Sequence, residues 1–304
     1  MRPIVPGGKT SPRRVQQLRR ILGLQAGEDY DERAQLEVAH FQQAQGLRVD
    51  REVGPKTWLA LVRRAHKLAI DAEVFERLPL VKVDLPGIAG DSDALGYRST
   101  TLREDVAASM QKVVSKVWGL GGKVTSAGGV RPLNSILLPG RVSASGHSLA
   151  LDHDLALSSG MQAPKTDTYV VTRAPDLGER RWRVWVRVSA PMPPINLEAV
   201  VWGRREPVLV SGQFLDLTTV MVEHGFRGIP AHKSAWWEAG QQGPRGGYSG
   251  TEWWHWSWRE GLEVGETTYG DELLRVYTLA QLERTAPWAE RDRVYGVRGN
   301  EGWW

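Results

Sequence analysis

Apolar residues from Pro12 to Leu22 fall at Val15, Leu18, Ile21 and Leu22, a helical spacing opened by Ser11-Pro12 and stopped by Gly23. A second amphipathic stretch runs from about Glu32 to Ala44, with Leu36, Ala39 and Phe41, and ends before Gly46. A third begins after Gly54-Pro55 and carries Trp58, Leu59, Leu61 and Val62. Three short helices of this kind can bury one small core. Residues 66–98 read as a connector. Leu68, Ile70, Val74, Phe75 and Leu78 allow one more helix, and Pro79, Pro86-Gly87 and Gly90-Asp91-Ser92-Asp93 then break the chain into turns.

Beyond the connector the periods mix. Val106, Met110, Val113, Val114 and Val117 predict a helix from Leu102 to Trp118, closed by Gly119, Gly121 and Gly122. Lys123-Val124-Thr125-Ser126 reads as a strand. Alternating stretches at 168–172 and 181–188, around the turn Pro175-Asp176-Leu177-Gly178, predict a hairpin with one apolar face. Leu215 to His224 reads as a helix ended by Gly225, and residues 270–290 as a terminal helix with Leu273, Leu274, Tyr277, Leu279 and Leu282 apolar. The predicted fold is α+β. A three-helix module occupies 1–66, a connector 67–90, and a second domain 91–304, which has a central antiparallel sheet flanked by helices and an inserted lobe at about 160–210.

Composition adds limits. The 304 residues are 41% hydrophobic and 24% charged, ordinary for a globular chain long enough for two domains. Cysteine is absent, so any metal must be held by imidazole and carboxylate ligands. The N-terminal sequence has no apolar signal stretch and no run approaches a membrane span. The expectation is a product made in the cytoplasm that reaches its place of action by lysis or a signal-independent route. The formal charge of +4 is concentrated in residues 1–70, with 13 Lys/Arg against 7 Asp/Glu. That balance suits an anionic polymer and equally a solvated face. No basic-aromatic stripe or reader motif points to nucleic acid.

The chemistry concentrates in two stretches. Ser145-Gly146-His147-Ser148-Leu149-Ala150-Leu151-Asp152-His153-Asp154 supplies an imidazole and carboxylates, and Glu252-Trp253-Trp254-His255 supplies a second pair. Two imidazoles, one carboxylate ligand and a spare carboxylate are what a hydrolytic zinc site needs, with the fourth position kept for water. His147 and Asp154 can share an ion only if the chain turns between them. Asp152 and Asp154 then project from one face, either as ligand and fallback or as ligand and orienting partner, and His153 faces away. A two-His, one-carboxylate set also suits iron.

These stretches resemble the Ser-x-His-x-x-Gly-x-Ala-x-Asp and Glu-x-Trp-His motifs of the zinc D-Ala-D-Ala carboxypeptidase and L-Ala-D-Glu endopeptidase group, hedgehog-like metallopeptidases that cleave peptidoglycan stem peptides. Ser145, His147 and Asp154 fall on the first motif, and Glu252, Trp254 and His255 on the second. Ala150 and Asp152 stand where the family usually has Gly and Ala. The resemblance implies Zn2+ on His147, Asp154 and His255, with Glu252 as general base. Ser126 followed by Ala127-Gly128-Gly129-Val130-Arg131-Pro132 is similar to the family's Ser-Gly-Tyr-Arg-Pro element, with an extra small residue and Val130 in place of Tyr. Arg131 would there bind a substrate carboxylate or steady the polarised carbonyl; a surface ion pair is the alternative. Ser145, Trp236 and Trp237 are the candidate substrate contacts.

The string Phe41-Gln42-Gln43-Ala44-Gln45-Gly46-Leu47-Arg48-Val49-Asp50, continued by Val53-Gly54-Pro55-Lys56-Thr57-Trp58, resembles the peptidoglycan-binding domain found beside wall hydrolases, over about residues 10–65. Arg51 stands where that family has Gly. Phe41 and Trp58 read as core. Together the resemblances imply an endolysin-like peptidoglycan hydrolase, with a phage or injection apparatus as context. A wall-binding or assembly protein retaining structural zinc is the alternative.

Overall fold

The computed structural model describes residues 2–88, 96–132, 137–138, 141–142, 145–232, 234, 237, 251–262 and 266–285. Contacts divide the chain into two compact units: Met1–Pro79, Pro132–Leu149 and Gly261–Trp304 form one, and Leu80–Arg131 with Ala150–Glu260 form the other.

In the first unit α1 (Pro12–Leu22), α2 (Glu32–Ala44) and α3 (Pro55–Lys67) enclose a core of Val15, Leu18, Ile21, Val38, Phe41, Trp58, Leu61 and Val62. The ends follow the sequence. Pro12 and Pro55 occupy first-turn positions, Asp31 accepts from the Ala34 N–H, and Gly23 closes α1 at φ 73°. Gln42 is buried and organises the loop from α2 to α3. Its Nε2 donates to Asp50 Oδ1 (2.8 Å) and Glu52 O (2.9 Å), and its Oε1 accepts from the N–H of Asp50 (3.2 Å) and Arg51 (3.0 Å).

A short α4 (Asp71–Phe75) follows. Residues 266–285 join the same unit: Trp58 Nε1 donates to Asp271 Oδ1 at 2.8 Å, and Ser11 N to Glu266 Oε2 at 3.0 Å. Burial raises the Asp271 carboxyl, against the opposing charge of Arg14 and its bond from Trp58. The single helix expected over 270–290 is two within the described residues, Tyr269–Leu274 and Leu279–Thr285. A capping box explains the break: Gln281 N donates to Thr278 Oγ1 (3.0 Å), and Thr278 N to Gln281 Oε1 (2.7 Å).

The second unit carries β1 (Leu80–Asp84), antiparallel to β2 (Ser99–Arg103), with α5 (Glu104–Gly119) packed on both. Two two-residue strands, β3 (Leu137–Leu138) and β4 (Arg141–Val142), pair within the first unit. In the second, β5 (Asp152–Asp154) belongs to the site sheet, and β6 (Tyr169–Arg173) pairs with β7 (Trp182–Arg187) as the expected hairpin, with Arg173 opposite Trp182. A further hairpin, β8 (Ile195–Ala199) with β9 (Val208–Gly212), covers β6 through Val170, Leu197, Ala199, Val210 and Phe214. Strand β10 (Phe214–Asp216) extends the sheet beside β7. The helix expected from Leu215 starts at Leu217, because Asp216 is its N-cap and accepts from Thr219 N at 3.0 Å. That helix is α6 (Leu217–Glu223). Strands β11 (Phe226–Gly228) and β12 (His255–Trp258) then place β12 between β11 and β5.

The fold is therefore mixed helix and sheet. In place of one central sheet, the described residues form several small antiparallel sheets of two or three strands. The strand expected at Lys123–Ser126 is not one. Thr125 N donates to Tyr169 Oη (2.8 Å) and Thr125 O accepts from His153 Nε2 (3.1 Å), so side chains satisfy what a ladder would, and Ser126 makes only an isolated bridge to Gly96. No helix among the described residues is long and apolar enough to cross a membrane.

Candidate metal centre

The site is built on the β5–β12 pair, in register Asp154 opposite His255, His153 opposite Trp256, and Asp152 opposite Ser257. Residues opposite one another in a pair share a face, and alternate positions along a strand return to it. Asp152, Asp154, His255 and Ser257 therefore share one face, with His153 and Trp256 on the other. His153 is fully buried, its Nε2 donating to Thr125 O and its Nδ1 paired with Thr100 Oγ1 at 3.1 Å.

The turn that brings His147 toward Asp154 has two parts. A 3-10 turn spans Gly146–Leu149, steadied by His147 N donating to Ser145 Oγ at 3.3 Å. Ala150 then adopts φ 55°, a left-handed conformation that costs a Cβ-bearing residue roughly 1–2 kcal/mol. Ser145 itself is gripped by Tyr269, whose Oη accepts from Ser145 N and donates to Ser145 O, both at 3.2 Å. The structure thus places this expected substrate contact as a support for the turn.

His147, Asp154 and His255 form a group able to hold a metal ion, each offering one ligand atom within 4.8 Å of the others. His255 Nδ1 lies 3.3 Å from Asp154 Oδ1. Two corners of a tetrahedron around one zinc, at ligand distances near 2.0–2.1 Å, are about 3.3 Å apart. The opposite edge of the ring is fixed: His255 Nε2 meets Asp152 Oδ2 at 2.9 Å, and Asp152 Oδ1 accepts from Ser257 Oγ at 2.7 Å. Asp152 takes the orienting position of the two left open by the sequence. Burial alone would lower the His255 pKa, but the hydrogen bond to Asp152 and the charges of Asp152, Asp154 and Glu252 raise it above the ordinary imidazole range.

Glu252 sits on the bend before β12, at φ 55°, with its Oε2 3.8 Å from His255 Nδ1 and its Oε1 3.6 Å from His232 Nε2. A Glu held in left-handed backbone is uncommon and clusters at functional sites. Arg131 forms an ion pair with Asp154 Oδ2 and is half exposed. Its segment is pinned beside β5: Asp154 N donates to Gly128 O (2.9 Å), Ala127 N to Asp154 O (2.7 Å) and Val130 N to Thr101 O (2.9 Å). Only glycine fits at 129, where a Cβ would lie 2.4 Å from Thr101 O.

Of the aromatic candidates, Trp236 lies outside the described residues. Trp237 donates from Nε1 to Arg181 O at 2.9 Å and packs 6.4 Å from the Trp182 ring, which makes it a packing residue here. Trp254 and Trp256 are buried. Sequence reasoning missed Ser257, which was signalled by its position two residues from His255 on the same face. His232, which the sequence offers as an exposed-loop candidate for substrate contact, lies beside Glu252, a pairing that no local pattern announces. Comparison with protein-family models, curated proteins and solved structures gave no match for this chain.

Proposed function

We propose that the chain is a zinc-dependent peptidoglycan hydrolase that cleaves an amide bond in a stem peptide. The observation that carries this reading is the gathering of His147, Asp154 and His255 within one ion's reach, with the carboxylate of Glu252 left beside them. A zinc ion held by His147, Asp154 and His255 would supply Lewis acidity toward the scissile carbonyl. Asp152 holds the His255 ring so that Nδ1 is the nitrogen turned toward Asp154 and the ion. Glu252 takes a proton from the attacking water and returns it to the leaving amine. Arg131, with half its surface open, pairs with Asp154 and offers its remaining donors to a substrate carboxylate.

Two backbone details support the resemblance behind this reading. Arg51 and Ala150 stand where the two resembled families have Gly, and both adopt the left-handed conformation that glycine prefers, at φ 61° and 55°. A wall-binding role for the helical module is consistent with its exposed basic side chains, such as Arg48, and would concentrate the catalytic residues on their polymer.

The test is mass spectrometry of purified peptidoglycan treated with the zinc-loaded chain beside Glu252→Gln at equal zinc content. Stem-peptide fragments from the wild type alone are expected, and their masses identify the bond. Bound zinc with no product from any wall type would transfer the assignment to a wall-binding or assembly protein with structural zinc.

A further inference from the structure

A cavity of about 490 Å³ in the second unit shares no residue with the metal centre. Trp256, which lines it, is on the face of β12 opposite His255. Its wall is unusual in charge. Arg181, Arg227 and Arg259 converge on it, with Trp182, Trp253 and Trp256, and no carboxylate is among the described residues that line it.

Three arginines collected without an acid repel one another. Burial lowers the pKa of Arg259, the charge of Arg181 lowers it further, and Arg227 adds to this against the more favourable Asp152; burial also lowers that of Arg181. Among the described residues none of the three makes an ion pair. Arg181 spends a donor on Gly228 O, and Arg227 Nη1 donates to Val222 O (3.0 Å) and Phe226 O (2.9 Å). Arg259 Nε has no hydrogen-bond partner among the described residues.

The aromatic wall has the same excess of donors. The indole N–H groups of Trp253 and Trp256 are buried and without an acceptor among the described residues, and both residues are only 1% exposed. A buried donor left without an acceptor is destabilising, because it has lost its water and gained nothing in exchange. Surplus positive charge, surplus N–H donors and flat apolar walls together suit an anion whose oxygens accept those bonds and whose body packs in the aromatic space.

We propose that this cavity is a second ligand site, which takes a small anion with an aromatic body, its carboxylate or phosphate held by Arg259, Arg181 and Arg227 and its ring among Trp182, Trp253 and Trp256. The site is independent of the hydrolase assignment, and its occupancy can be read without any measurement of peptide cleavage.

The experiment is calorimetric titration of the full chain with phenyl phosphate, benzoate, inorganic phosphate and benzyl alcohol, with the indole N–H resonances of Trp253 and Trp256 followed by NMR. Saturable binding of phenyl phosphate or benzoate is expected, the tighter of the two naming the headgroup. Both indole resonances should shift. Benzyl alcohol and inorganic phosphate should each bind at least about tenfold more weakly, and Arg259→Gln should weaken the aromatic anion by about tenfold or more. Arg227 is exposed, so Arg227→Gln tests the charge outside the core, with circular dichroism to verify the fold, and should weaken binding in the same direction. The proposal is overturned by no saturable binding of either aromatic anion at millimolar concentration, by inorganic phosphate binding as tightly as phenyl phosphate, or by affinity unchanged in Arg227→Gln.

Discussion

Asp152 Oδ2 lies 2.9 Å from His255 Nε2, and this contact decides which imidazole nitrogen faces Asp154. The carboxylate is itself held by Ser257, so the ring is oriented before any ion arrives. Outer-sphere carboxylates of this kind set ligand geometry and basicity.

Asp152→Asn should therefore leave the fold intact and weaken zinc binding by roughly 10- to 100-fold, as loss of such a partner usually does. Competition against a fluorescent chelator measures it. Unchanged affinity would remove Asp152 from any positioning role.

Glu252→Gln should retain zinc stoichiometry while reducing turnover by about 10²–10⁴, the usual range for one proton-transferring group. Elemental analysis of the purified variant, paired with the rate of release of peptide fragments, separates loss of chemistry from loss of metal.

Ala150→Gly and Arg51→Gly each replace a side chain at positive φ, where the Cβ costs roughly 1–2 kcal/mol, against an entropy cost for glycine of about 0.5–1 kcal/mol. A gain in stability of up to about 1 kcal/mol is the expected result in urea unfolding. Loss of stability at either position would mean that the side chain contributes more than its backbone costs.

Gln42→Ala removes the acceptor and donor around which the α2–α3 loop is folded, and should cost about 1–3 kcal/mol. Thermal unfolding followed by circular dichroism tests this, with Gln43→Ala as the neighbouring control.

Tyr169 is wholly buried, and burial pushes its phenol up to about 12, partly offset by its bonds with Thr125. In the unfolded chain a phenol titrates near 10. The raised folded value means that the stabilisation is fully present below about 10 and is lost as pH rises through about 12, a total of about 3 kcal/mol. Burial also raises Tyr30 and Tyr277. Tyr169→Phe should consequently reduce, without abolishing, the fall in urea midpoint between pH 9.5 and 12.

The helices of the first unit could be read from the chain because each carries its own start and stop: Pro12 and Gly23, Asp31, Pro55. The face shared by Asp152 and Asp154 was readable for a similar reason, since strand alternation is local. Thr125 was not, because its backbone is satisfied by Tyr169 and His153, residues 44 and 28 positions away. The capping box at Thr278 and Gln281 was visible in principle and was overridden by the run of apolar residues around it. Arg181, Arg227 and Arg259 belong to separate segments, and nothing in the order of residues announces that they meet.

The hydrogen bond from Trp58 to Asp271 joins partners 213 residues apart. During synthesis the first helices leave the ribosome long before Asp271 has been made, so the indole must wait for its acceptor while most of the chain is added. Non-local closure of this kind slows folding and lengthens the interval in which an unfinished core is exposed. A fragment ending near residue 90 would keep all three N-terminal helices and still lack the residue that satisfies Trp58. Completion of the core around Trp58 therefore depends on a residue made 213 positions later.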